Sequence, residues 1–106
     1  MLKIRPLPGK RRELLTILAS MQEQLLIRHD CIVSEIYEPF GGEDEVFYLE
    51  QWRTKESLYR HIESDLYRRV LMAMELASES PQISFPELTN VKGMELIVAL
   101  REGGDV

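Results

Sequence analysis

The stretch YLEQWRTKESLYRHIESDLYRR, residues 48–69, gathers the side chains of this chain best suited to chemistry. It holds the single tryptophan, Trp52, and one of the two histidines, His61, with Tyr48, Glu50 and Tyr67 close by. Histidine ionises near neutrality, so His61 is a candidate proton acceptor. Strand alternation would put Tyr48, Glu50 and Trp52 on one face and Phe47, Leu49 and Gln51 on the other. If the first face is buried, Glu50 needs a partner or a raised pKa. Such an acid serves either structure or catalysis, and residue type alone leaves both open. His61, three positions after Leu58 at the border of an apolar helix face, carries the same ambiguity. Trp52 reads as a core or cavity-wall residue, and His29 as a helix-end or surface residue.

Other chemistries lack their residues. Two distant histidines and the lone Cys31 do not make a zinc spacing, and no glycine-rich phosphate loop or GxSxG elbow is present. A net charge of −5, from 18 acidic and 13 basic residues, argues against a nucleic-acid backbone as partner. The basic clusters Lys10–Arg12 and Arg68–Arg69 read as solvated helix faces. One cysteine cannot form an internal disulfide, no apolar run approaches the ~20 residues of a bilayer span, and MLKIRPLPGK lacks a signal-peptide core. The expectation is therefore a cytoplasmic protein without a membrane partner.

The elements that must hold these residues follow from periodicity. At 106 residues the chain predicts one domain spanning 1–106. LKIRP predicts a short strand with Leu2 and Ile4 inward. A helix is predicted over 9–29, with Leu14, Leu18, Met21 and Leu25 as its apolar stripe. CIVSEIY and VFYLEQW predict two strands joined by a GGED hairpin loop, with Cys31, Val33, Glu35 and Tyr37 on one face of the first. Thr54 is a candidate N-cap for a helix carrying Leu58 and Ile62. Ser64 or Asp65 is a candidate cap for another, carrying Tyr67, Val70 or Leu71, and Met74. QISFPEL predicts an edge strand with Ile83 and Phe85 on one face, and MELIVAL, residues 94–100, a final buried strand before a flexible tail at 102–106. The sum is an α+β fold, a ferredoxin-like βαββαβ unit with an extra C-terminal strand in an extension over 87–101. Helices would cover one face of its antiparallel sheet. The other face also carries apolar side chains, which one small chain cannot cover, so a homodimer packed sheet to sheet is expected.

Taken in order, these motifs resemble the antibiotic biosynthesis monooxygenase (ABM) domain family. They are Pro8, Gly9 and Lys10 opening the long helix; Glu50 and Trp52 closing a strand; Thr54 and Leu58; His61 and Ser64; and Tyr67 soon after. The resemblance covers roughly residues 2–86. It implies a dimeric α+β barrel, and oxygenation of a small, electron-rich, quinol-like aromatic substrate by molecular oxygen without metal or flavin. It implies His61 as base, with Trp52 and Tyr67 completing the catalytic set, and Tyr48, Glu50, Leu58 and Leu71 contacting substrate. The chain departs from the family pattern at Leu66, where a second histidine is common, and at Asp30, where a glycine is common. The asparagine, tryptophan and histidine of the heme-degrading branch are not reproduced, since His61 and Leu71 occupy the places of its last two, so heme degradation is not implied. Two alternatives remain: a non-catalytic small-molecule binder or regulator of the same fold, and an isomerase of a small signalling metabolite.

Overall fold

The structure is a computed structural model that describes residues 1–41, 44–85 and 93–102. The elements in chain order are β1 (Leu2–Ile4), α1 (Arg11–Leu25), β2 (Cys31–Tyr37), β3 (Val46–Trp52), α2 (Lys55–Glu63), α3 (Arg68–Glu75), β4 (Gln82–Ile83) and α4 (Gly93–Glu102). A 3₁₀ turn, Asp65–Tyr67, leads into α3. The strands form one antiparallel sheet in the order β2-β3-β1-β4. This is the ferredoxin-like order, with β1 paired to β3 on one side and β4 on the other.

Strand parity decides what the sheet buries. Leu2 pairs with Tyr48 and Ile4 with Val46, and all four side chains are buried, together with Trp52. Against them α1 lays Leu14, Leu18, Met21 and Leu25, none more than 1% exposed, as the heptad-like spacing predicts. Each such side chain contributes about 1.5–3 kcal/mol by leaving water. Ile62 of α2, with Val70 and Ala73 of α3, completes the same layer. The opposite sheet face, with Val33, Phe47 and Leu49 half-buried and Tyr37 49% exposed, has no helix over it among the described residues.

Several local expectations change. The stretch 94–100 is not a strand: it lies within α4. Ile97 is buried there, with Leu96 and Leu100 packed beside it, while Met94 and Val98 face outward. Its apolar run looks β-like, but Leu96, Ile97 and Leu100 share one helical face against α2. Glu95 in the first turn and Arg101 in the last also suit the helix dipole. Residues 86–92, the first part of that expected extension, and 103–106 of the expected tail lie outside the described residues, as do Gly42 and Glu43 of the hairpin loop.

The long helix is shorter than its periodicity suggests, ending at Leu25, so Arg28 and His29 do not sit on its last turn. Arg28 instead reaches Asp30 at 3.3 Å and stacks its guanidinium 5.7 Å from the Trp52 ring centre, and the His29 carbonyl accepts from Arg53. A β-bulge between Cys31 and Val33 places Cys31 opposite Trp52, so Cys31 leaves the Val33 face and packs against the core. Arg11 is not merely solvated: it bridges Glu38 at 3.0 Å and Asp44 at 3.2 Å, tying the start of α1 to the β2–β3 hairpin.

Thr54 caps α2 as the sequence predicts, its hydroxyl oxygen accepting from the Ser57 N–H at 3.0 Å. Ser64 does not cap in that way; its hydroxyl turns back to donate to the His61 carbonyl. Replacing Thr54 with Ala is expected to cost about 1 kcal/mol of stability, read as a lower urea midpoint at unchanged slope. An unchanged midpoint would show that the cap does not hold α2 in place.

Candidate functional site

The site is built where β3 runs into α2. Alternation on β3 aims Tyr48, Glu50 and Trp52 at the helical layer, and the cap at Thr54 starts α2 so that His61 falls on its inner face. Glu50 is the hub. Its Oε2 accepts from the Tyr48 hydroxyl at 2.8 Å, and its Oε1 accepts from the Trp52 indole N–H at 3.0 Å. His61 Nε2 lies 2.9 Å from the same Oε1, bent away from the ring N–H direction, so the contact is close without being a linear hydrogen bond. Because Tyr48 gives its only proton to Glu50, its oxygen accepts from Ser34, 2.9 Å away. The Ser34 carbonyl in turn accepts from the Gln22 amide at 2.8 Å, which ties the network to α1.

His61 is 0% exposed. Its ring lies 4.5 Å from Trp52 and meets Tyr67 edge-on at 5.1 Å. Its Nδ1 is buried without a hydrogen-bond partner among the described residues. A carboxylate at Nε2 favours the tautomer with the proton there, which leaves the Nδ1 lone pair free to accept one.

Burial by itself would raise the Glu50 pKa. The His61 contact and the Tyr48 and Trp52 hydrogen bonds outweigh it, and the carboxyl lies below its ordinary value. Burial, and then the Glu50 charge, push the Tyr48 and Tyr67 phenols well above theirs, so both stay protonated donors. Burial, and then the same charge, raise the Cys31 thiol to about 11, which removes it as a nucleophile at neutral pH.

A cavity opens beside this network between the sheet, α2, α3 and β4. Its lining includes Tyr48, Glu50, Leu58 and Tyr67 among the residues singled out from the sequence, with Leu2, Val70, Met74, Ile83 and Phe85 added. His61 and Trp52 are not in its wall; they stand behind Glu50. Leu71 is also absent from it: on α3 the neighbours Val70 and Met74 face the cavity, and Leu71 packs elsewhere against the core. The free volume is about 30 Å³, enough for a water or two, whereas a benzene-sized cavity is roughly 150 Å³. Ser34 and Gln22 carried no signal in the sequence, because their roles arise only when β2 and α1 meet.

The family profile of the antibiotic biosynthesis monooxygenases matches residues 1–71, and the chain belongs to that family. Solved structures share the fold. A conserved protein from Methanosarcina mazei is 25% identical, with a TM-score of 0.71 over 78% of this chain and 83% of that one. A candidate antibiotic biosynthesis monooxygenase from Caulobacter crescentus is 16% identical, with a TM-score of 0.70 over 84% and 86%. A Bacteroides thetaiotaomicron protein of unknown function, described as a possible oxidoreductase, is 20% identical, with a TM-score of 0.67 over 76% and 87%. No curated protein matches significantly in sequence. Among the described residues no helix is long and apolar enough to cross a membrane.

Because the Glu50 pKa is lowered by folding, its carboxylate stabilises the fold at pH above the unfolded value of about 4.3, and that contribution is lost as pH falls through the folded value. Glu50→Gln is therefore expected to lose on the order of 3 kcal/mol at neutral pH, since it takes the charged acceptor away from the buried Tyr48 and Trp52 donors and from His61. The gap from wild type should narrow below about pH 4, measured by denaturant unfolding across a pH series. A gap independent of pH would contradict an ionised Glu50.

Proposed function

We propose that this protein is a cofactor-independent monooxygenase acting on a small, electron-rich, quinol-like aromatic with molecular oxygen, and that it works as a homodimer. The observation that carries the reading is a buried carboxylate at a cavity wall, hydrogen-bonded by Tyr48 and Trp52, with a buried histidine directly behind it. A phenolic substrate entering the cavity would present its hydroxyl to Glu50, the only group of the pair that reaches the wall. Proton transfer to the Glu50–His61 pair leaves a phenolate, whose ring carbon is electron-rich enough to reduce oxygen. One oxygen atom then enters the ring and the other leaves as water, with the substrate supplying all four electrons. The role of His61 is thus that of the second member of a proton-accepting pair, rather than of a base touching substrate. Tyr67, protonated and facing the cavity, is placed to donate to oxyanion charge. Trp52 orients Glu50 through its indole N–H.

The dimer is supported by the sheet face that no helix covers among the described residues, where Val33, Phe47 and Leu49 form an apolar strip beside exposed Tyr37. A non-catalytic binder of the same fold is the second reading, favoured by the hydrogen bond already held by each oxygen of Glu50 and by the narrow cavity.

Oxygen uptake with a panel of quinols separates the two. The expected result is turnover that falls about 10²-fold or more in His61→Ala; quinol binding without oxygen uptake in wild type selects the binder. For the dimer, light scattering is expected to give twice the 12.4 kDa chain mass, reverting to one chain mass in Leu49→Arg. A wild-type monomer would remove the barrel from the proposal.

A further inference from the structure

The cavity beside Glu50 is too small for an aromatic ring as it stands, so part of its wall must move for the proposed function to operate. Two sides are poor candidates. Tyr48 and Glu50 stand on β3, fixed by ladders to β1 and β2. Leu58 and Val70 ride on α2 and α3, whose inner faces are part of the main core.

The third side is Ile83 and Phe85. Ile83 belongs to a strand of only two residues, joined to the sheet by two register pairs and by the Met1–Ser84 backbone hydrogen bonds that follow them, and it has no strand on its outer edge among the described residues. Such a wall would swing outward readily, but α4 stands behind it. The N-terminal residue of α4, Gly93, is pressed so closely on Ile83 that a Cβ there would lie 2.5 Å from Ile83 Cγ2. At the other end Arg101 Nη1 donates to the carbonyls of Ile62 and Ser64, each at 2.8 Å. Those carbonyls lie at the C-terminal end of the helix that carries His61 and at the turn that leads to Tyr67. Ile97, 2% exposed, holds the middle.

We propose that α4 is a strap that keeps the cavity narrow, fastened to β4 at Gly93 and to the α2 end at Arg101, and that an aromatic ligand fits when it releases Ile83. This rests on reading the cavity as a binding site, not on the oxygenation chemistry. The geometry also explains the otherwise bare glycine at the start of an apolar helix: no other residue permits that approach to Ile83.

Two substitutions loosen the strap from opposite ends. Gly93→Ala pushes α4 off Ile83, and Arg101→Gln removes the charged donor from the α2 end. The probe is 2-naphthol, a neutral phenol, followed by stopped-flow emission of Trp52. Both variants are expected to bind it with a rate constant raised roughly tenfold, because the open fraction of the protein rises, and Arg101→Lys should return most of the way to wild type. Equal association rates in wild type and both variants overturn the strap, as does absence of binding in all of them. Unfolding caused by either substitution, seen in far-ultraviolet circular dichroism, would make α4 part of the folding core and overturns it too. Faster binding in the variants without oxygen uptake on quinols would leave the strap standing and remove the oxygenation reading.

Discussion

A carboxylate taken out of water must be repaid in hydrogen bonds, and the architecture around Glu50 follows from that requirement. Its charge sits inside an apolar layer that includes Leu58, Ile62 and Val70, where an isolated carboxylate would protonate. Three partners from two elements prevent this: Tyr48 and Trp52, two positions away on either side of the same strand, donate hydrogen bonds, and His61 of α2 lies 2.9 Å away. Each partner constrains its own surroundings. Tyr48 requires Ser34 on β2, and the Ser34 backbone is tied to Gln22 on α1. His61 requires α2 to begin at Thr54, where the hydroxyl cap sets the start of the helix. A single buried charge thus couples the β2–β3 register, the long helix and the short helix. It accounts for polar groups in a region that could have been filled with aliphatic side chains at lower desolvation cost.

The same constraint gives the site its chemical character. Burial, reinforced by the charge of Glu50, keeps Tyr48 and Tyr67 protonated, so the cavity offers donors and one acceptor rather than several competing bases. Cys31, raised by burial and then by the same charge, is held as an inert thiol. Reactivity is therefore focused on one proton-accepting pair. What limits the site is space: its aromatic and aliphatic walls meet closely, and the wall formed by the β4 edge strand is backed by α4, an element beyond the reach of the family match.

Much of the fold is legible in the sequence because periodicity reports directly on burial. Leu14, Leu18, Met21 and Leu25 mark one helix face unambiguously, and the alternation in VFYLEQW fixes which side of β3 holds Tyr48, Glu50 and Trp52. The stretch MELIVAL is harder, because a short apolar run satisfies both a buried strand and a buried helix. Packing against α2 decides it, and that contact is a tertiary fact. The site divides in the same way. The motif spacing leads to Glu50, Trp52, His61 and Tyr67, but not to the order in which they meet the cavity. That Glu50 stands in front and His61 behind depends on how far α2 tilts across the sheet, which no spacing encodes. Leu71 illustrates the limit: a shift of one residue along α3 gives the cavity to Val70. Ser34 and Gln22 are ordinary polar residues until two elements bring them together.

The ionisation of Glu50 inside the folded protein is the quantity on which this account stands. Carbon-13 NMR of its side-chain carboxyl, titrated from about pH 8 downward, measures it directly. A carboxylate that stays charged through the ordinary glutamate range near about 4.3 is the predicted result. A carboxyl that takes up its proton above that range would mean that burial prevails over the His61, Tyr48 and Trp52 partners, and would contradict the account.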